Sequence, residues 1–236
     1  MQDMSKGILY IVSTPIGNLD DITLRAIDIL RTVDIIACED TRHSAKLLSH
    51  YEIQTKKISY YDEVEDKRSG TLIRMLESGK NVALISDAGT PGISDPGYRV
   101  IQKAVEADIS VIPVPGPSSL LSVLVSSGFA TDRFTFEGFL PRKKGRKTRL
   151  EELALEPRTM IIFESPIRLL KTLGDLSTYF GDRRIVIGRE MTKFFEEYVR
   201  GSIPEVISHF EKAKPRGEFV LVIEGLTRKL KRSISE

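Results

Sequence analysis

Four times before residue 126, a short apolar run is followed by a turn-rich loop and then by apolar residues at helical spacing. The runs are Ile8 to Val12, Asp34 to Cys38, Val82 to Ile85 and Ile109 to Val114. The helical patterns after them run through Leu24, Ile27, Ile29 and Leu30, then Ser44 to Leu48, Tyr98 to Val105 and Leu120 to Val125. Apolar runs this short, without polar alternation, suit strands buried on both faces. Alternating with amphipathic helices, they predict an α/β unit with a mostly parallel sheet. Ligands of such sheets sit beyond the carboxyl ends of the strands. Three loops would meet there: ThrProIleGlyAsn at 14–18, GluAspThrArg at 39–42 and SerAspAlaGlyThrProGlyIleSerAspProGly at 86–97.

The last of these loops is the most informative. Its glycines give the backbone access to positive φ and let a ligand approach the main chain, while Pro91 and Pro96 stiffen the remainder. Gly89, Gly92 and Gly97 do not fit the GxGxxG dinucleotide fingerprint, and no Lys-Ser or Lys-Thr follows a glycine to make a P-loop. The loop reads as a small-molecule cradle of another kind. The same composition also suits an ordinary strand-to-helix turn.

ValProGlyProSerSer at 114–119 punctuates the chain near its middle and places a domain joint there. The expected division is an N-terminal α/β domain at 1–117, a C-terminal mixed α/β domain at 118–225 and a basic tail at 226–236. In the second domain strands are expected at 134–137, 159–163, 184–188, 194–199 and 219–223, with helices at 166–176 and 204–213. More strands and fewer helices favour a mixed sheet with antiparallel pairs.

Composition narrows the function. The chain of 236 residues is 41% hydrophobic and 29% charged, with no apolar run long enough to span a bilayer. No signal-peptide pattern opens the sequence, so a cytoplasmic protein with no membrane partner is expected. The one cysteine, Cys38, rules out an internal disulfide and reads as a small buried apolar residue. His43, His50 and His209 lack metal-ligand spacing, so no metal is expected. The formal net charge of +2 is unevenly spread. Arg142, Lys143, Lys144, Arg146, Lys147 and Arg149 fall within eight residues without an acid, and Arg228, Lys229, Lys231 and Arg232 crowd the tail. Concentrated cations on an otherwise acidic chain suit a phosphate backbone, and equally a solvated loop and a disordered tail.

Six motifs occur in order: ThrProIleGlyAsnLeuAspAspIleThr at 14–23, GluAspThrArg at 39–42, the loop at 86–97, ProGlyProSerSer at 115–119, PheGluGlyPheLeuProArgLys at 136–143 and PheGluSerPro at 163–166. Together they resemble the tetrapyrrole methylase superfamily, and within it the branch of 16S ribosomal RNA cytidine 2′-O-methyltransferases. The resemblance implies two α/β domains with S-adenosylmethionine in the cleft between them, 16S rRNA or the small ribosomal subunit as partner, and a homodimer. It implies cofactor contacts from Pro15, from Ser86, Asp87, Ala88, Gly89 and Ile93, from Ser118 and Ser119, and from Glu164. Tetrapyrrole enzymes usually carry GlyProGlyAsp in the first loop. ThrProIleGlyAsn here favours the RNA branch.

Methyl transfer to a ribose hydroxyl needs the acceptor in line with the sulfonium methyl and a place for its proton. Candidates for that chemistry are Glu39, Asp40 and His43 beyond the second strand, with Arg42 beside them to pair a carboxylate or phosphate. Asp40 or Thr41 could instead cap the following helix, leaving Arg42 in a surface ion pair. The basic residues Arg142 to Arg149 are expected to contact the RNA backbone. Glu190 and Lys193 form a further polar cluster after a strand. Competing functions are methylation of a tetrapyrrole or a protein side chain, and a non-catalytic ribosome-assembly factor.

Overall fold

The structure, a computed structural model, describes residues 5–61, 65–212 and 214–227, giving the backbone alone at 65–67. The expected tail from residue 228 onward and Ala213 lie outside the described residues. The chain divides into two compact units, one up to Ser118 and one from Ser119.

In the first unit the strands are β1 (Leu9–Val12), β2 (Ile35–Cys38), β3 (Lys57–Ser59), β4 (Val82–Ile85) and β5 (Val111–Val114). They form one parallel sheet in the order β3-β2-β4-β1-β5. Its helices are α1 (Leu24–Thr32), α2 (Thr41–His50), α3 (Glu65–Glu77) and α4 (Tyr98–Glu106). The strand β3 and helix α3 were not expected from the sequence, although Leu72, Ile73 and Leu76 of α3 stand at helical spacing and pack into the core. Ile36 and Cys38 face α1 and α2, while Ile35 and Ala37 face α3 and α4, as the alternation of side chains along a strand requires. Helices on both faces bury the central strands completely, which is why those strands are apolar throughout.

The order of the strands fixes where a ligand can enter. Connections leaving β1 and β2 run to one side of the sheet, and those leaving β3 and β4 run to the other. Right-handed crossovers therefore put α1 and α2 on one face and α3 and α4 on the opposite face. The connections diverge on either side of β4, so the crevice at the carboxyl edge opens where the 86–97 loop begins.

The second unit starts with α5 (Ser119–Ser126), followed by β6 (Phe134–Phe139), α6 (Arg146–Ala154), β7 (Thr159–Glu164), α7 (Leu169–Phe180), β8 (Arg184–Arg189), β9 (Glu197–Ser202), α8 (Ile203–Glu211) and β10 (Phe219–Ile223). The sheet order is β6-β7-β10-β8-β9, with β6 and β7 parallel and the other pairs antiparallel. Helix α8 opens on a capping box formed by Ser202 and Glu205.

Three expectations shift in this unit. The helix expected from Pro166 begins at Leu169, because Ser165 to Arg168 first make a turn. The strand expected from Phe194 begins at Glu197, because Phe194 and Phe195 belong to the preceding turn. The helix expected at 204–213 runs from Ile203 to Glu211. The basic segment also contains a helix, α6, which burial of Leu150 and Leu153 against the core accounts for.

Candidate functional site

Three loops of the first unit are joined at the carboxyl edge by hydrogen bonds. Thr14 and Gly89 form an isolated antiparallel bridge, each N–H donating to the other's carbonyl at 2.9 and 3.0 Å. The Thr14 hydroxyl donates to the Ser86 carbonyl at 3.1 Å, and the Ser86 hydroxyl donates to the Gly89 carbonyl at 3.2 Å. Ser13 and Thr90 share a hydroxyl hydrogen bond of 2.9 Å, and Thr90 donates to the Pro117 carbonyl at 3.4 Å. The ends of β1, β4 and β5 are thus one framework, with Pro15 buried inside it and Ala88 and Ile93 exposed on its surface. Gly89 has a φ of +83°, which only glycine adopts without strain. At Gly116 a Cβ would lie 2.9 Å from the Ser13 Cβ, so glycine there permits the close approach of the β5 loop to β1.

The β2 loop is tied in through Asp87, whose Oδ1 accepts the Asp40 N–H at 3.2 Å. Asp40 caps α2: its Oδ1 accepts the Arg42 N–H at 2.8 Å, and its Oδ2 pairs with the Arg42 guanidinium at 3.3 Å. The N–H and guanidinium of Arg42 hold the Asp40 carboxyl below its usual range, with the His43 N–H adding to this. Such a carboxylate is a weaker proton acceptor. Of the two roles open to Asp40, capping is the one the geometry displays. Arg42 and His43 are exposed on the first turn of α2, and Glu39 stands at the end of β2. Cys38 is fully buried in β2, and burial pushes its thiol up.

In the second unit two residues expected at the site are held by bonds within the unit. Glu164, expected against the cofactor, is only 2% exposed and engaged within its own unit. Its Oε1 accepts the Ser165 N–H at 2.8 Å and pairs with Arg168 at 3.3 Å, while Oε2 accepts the Thr172 hydroxyl at 2.5 Å. Arg146, expected at the RNA backbone, is 7% exposed. It donates to Thr172 Oγ1 at 2.9 Å and to the Pro141 carbonyl at 3.0 Å, and it pairs with Asp175 at 2.8 Å. A charge held this way is spent inside the unit. Arg149 is likewise paired with Glu137 and Glu152. Arg142, Lys143, Lys144 and Lys147 remain exposed. Arg168, Thr172 and Asp175 were missed by the sequence reading. Glu164, Arg168 and Thr172 stand four residues apart, but Glu164 ends β7 and Arg168 precedes α7, so no helical pattern announces them, and their link to Arg146 has no local signal either.

The fit to a sulfonium cofactor can be judged from the first unit. The framework offers a glycine turn for close main-chain approach, carbonyl oxygens and the Asp87 carboxylate for a cation, all beside the crevice at β4. Among the described residues no group of three or more His, Cys, Asp or Glu side chains could hold a metal ion, and no helix is long and apolar enough to cross a membrane.

The chain thus carries a parallel α/β unit with this framework, followed by a mixed α/β unit. Residues 8–207 match the family model of the Tetrapyrrole (Corrin/Porphyrin) Methylases, and the chain belongs to this family. It is a methyltransferase. The chain is 52% identical to ribosomal RNA small subunit methyltransferase I of Synechocystis sp., over 98% of this chain and 83% of that protein. It is 49% identical to the protein of that name from Thermotoga maritima, over 93% of this chain and 99% of that one. Its fold is similar to uroporphyrin-III C-methyl transferase from Thermus thermophilus complexed with S-adenyl homocysteine. The TM-score is 0.65 at 18% identity, covering 96% of this chain and 100% of that one.

Proposed function

We propose that this chain methylates the ribose 2′-hydroxyl of a cytidine in 16S ribosomal RNA, acting in the cytoplasm as a homodimer. The observation that carries the reading is the 52% identity to a ribosomal RNA small subunit methyltransferase I along nearly the whole chain. The exposed cations Arg142, Lys143, Lys144 and Lys147 support it, since a phosphate backbone binds through such groups.

S-adenosylmethionine supplies a methyl group already activated on a sulfonium. The residues proposed to hold it are Pro15, Ser86, Asp87, Ala88, Gly89 and Ile93, with Ser118 and Ser119. Because Asp40 is committed to capping α2, Glu39 is the proton acceptor for the ribose hydroxyl. Arg42 and His43, exposed at the amino end of α2, face the phosphate of the target nucleotide, where the helix dipole also favours an anion. Holding the hydroxyl in line supplies much of the rate, and the base contributes roughly 10²–10⁴-fold.

The test is transfer of a labelled methyl group to assembled small subunits, free 16S rRNA and a tetrapyrrole, followed by nuclease digestion and mass spectrometry of the nucleosides. A 2′-O-methylcytidine product is expected. A labelled tetrapyrrole or protein, or cofactor binding without any transfer, overturns the reading. In the same assay Glu39→Gln is expected to slow single-turnover transfer ~100-fold, within the range for loss of a general base. Asp40→Asn keeps a good N-cap and is expected to stay within ~10-fold. A fully active Glu39→Gln enzyme rejects Glu39 as the base.

A further inference from the structure

In the second unit, the strand register puts Phe139, Glu164, Phe219, Arg189 and Glu197 along one end of the sheet. The loops leaving that end are 140–145, 165–168, 190–196 and 214–218. They divide into a basic side and an aromatic side. On the β6 edge stand the exposed Arg142, Lys143 and Lys144. On the β8–β9 edge, Phe194 is 94% exposed and Phe195 66%, with ring centroids 5.0 Å apart in an edge-to-face pair.

Two adjacent phenylalanines this exposed are unusual unless something covers them. The turn carrying them is also rigid. The Lys193 N–H donates to the Glu190 carbonyl at 3.0 Å, and the Glu196 N–H to the Lys193 carbonyl at 3.1 Å. The Lys193 ammonium donates to Glu190 at 3.1 Å and to Glu218 at 2.9 Å. Met191 is buried beneath the turn, and Glu190 and Thr192 are held at φ of 50° and 64°. Gly217 leaves room for Glu190, whose Cγ would lie 2.4 Å from a Cβ there. Burial opposes ionisation of Glu190, but the Glu218 N–H and the Lys193 ammonium outweigh it and hold the carboxyl below its usual range. Positive φ outside glycine, locked by ion pairs, marks a turn built to present its tip.

We propose that Phe194 and Phe195 form a stacking platform for unpaired bases of the RNA substrate, whose phosphates run over Arg142, Lys143 and Lys144. The inference rests on the RNA reading above and adds the surface that receives the bases. Four inter-strand spacings, about 19 Å, separate the β6 edge from β9. That is room for a short single-stranded segment rather than one nucleotide. Charge favours RNA over a second copy of the chain as occupant. Among the described residues the carboxylates beside the phenylalanines are already engaged: Glu190 and Glu218 pair with Lys193, Glu197 with Arg189 and His209, and Glu196 accepts the Thr192 N–H, which leaves little to match the cations of the β6 edge. Stacking on aromatic faces with phosphates on a neighbouring basic loop is how single strands are held without sequence preference.

The chain has no tryptophan, so Phe195→Trp introduces a single fluorescent reporter. Its emission is expected to be quenched by oligocytidine RNA and not by inorganic polyphosphate, which lacks bases. Phe194→Ala with Phe195→Ala is expected to weaken oligocytidine binding at least ~10-fold, with S-adenosylmethionine affinity and melting temperature unchanged. Neutralising Arg142, Lys143 and Lys144 together is expected instead to reduce the salt slope of binding by about 2. If the wild type methylates small subunits but the double alanine variant binds RNA normally, the platform is wrong and the RNA reading stands. A double variant that turns a dimer into a monomer with RNA affinity intact also overturns it, assigning the surface to a second copy. Failure of the wild type to methylate RNA at all rejects the underlying reading.

Discussion

Replacing Gly89 by valine is expected to lower affinity for S-adenosylmethionine at least ~100-fold while the second unit melts unchanged. Gly89 sits at φ +83° with both its N–H and its carbonyl in the bridge to Thr14. A β-branched residue is an outlier at positive φ, and the left-handed region costs non-glycine residues roughly 1–2 kcal/mol. The added Cβ would meet the Ile16 side chain at 3.4 Å, and the γ branches of valine would press further into it. Overpacking of this kind adds at least ~1 kcal/mol. Strain and overpacking in the bridged turn together approach ~3 kcal/mol, about two decades of affinity for a cofactor held against that turn. Gly89→Ala lacks the branches and is expected to lose about one decade. Calorimetric titration measures both. Unaltered binding by the valine variant would mean that the loop at 86–97 does not hold the cofactor.

The same loop shows what the sequence could and could not say. Its glycines and prolines identified a cradle after a strand, and the apolar runs identified parallel strands, because both signals are local. Gly89's partner, Thr14, was invisible, since the bridge joins residues 75 apart through backbone atoms that any residue type carries. The β3–α3 segment was missed for a different reason. Its strand is short and only half-buried, so it shows no apolar run. The basic cluster was visible as charge, but charge counts do not distinguish Arg146, turned inward to Thr172 and Asp175, from Arg142, exposed four residues earlier. Helical spacing carries that information: Arg146, Leu150 and Leu153 share one buried face of α6, and an arginine on such a face needs an internal anion.

That internal arrangement leads to the second large effect. Glu164→Ala is expected to destabilise the second unit by about 3 kcal/mol, the lower end for a buried ion pair stripped of one partner. The Glu164 side chain is fully buried against Arg168, and through Thr172 it reaches Arg146. Each arginine also holds the root of the basic loop, Arg168 donating to the Leu140 carbonyl at 2.6 Å and Arg146 to the Pro141 carbonyl at 3.0 Å. Without the carboxylate, Arg168 loses its anion and Arg146 keeps Asp175 alone, so water must enter or the arginines must turn outward. Either response frees Leu140 and Pro141. RNA affinity is therefore expected to fall along with the melting temperature, which at this unit size drops by roughly 10 °C or more. S-adenosylmethionine affinity should change less than ~3-fold, because no oxygen of Glu164 is left over from its own unit's bonds. Glu164→Gln keeps the acceptor for Thr172 but not the charge, and is expected to fall between the two. Differential scanning calorimetry and cofactor titration on the same preparations separate the roles. Lost cofactor binding with an unchanged melting temperature would return Glu164 to the cofactor and leave the basic loop to be held by other means.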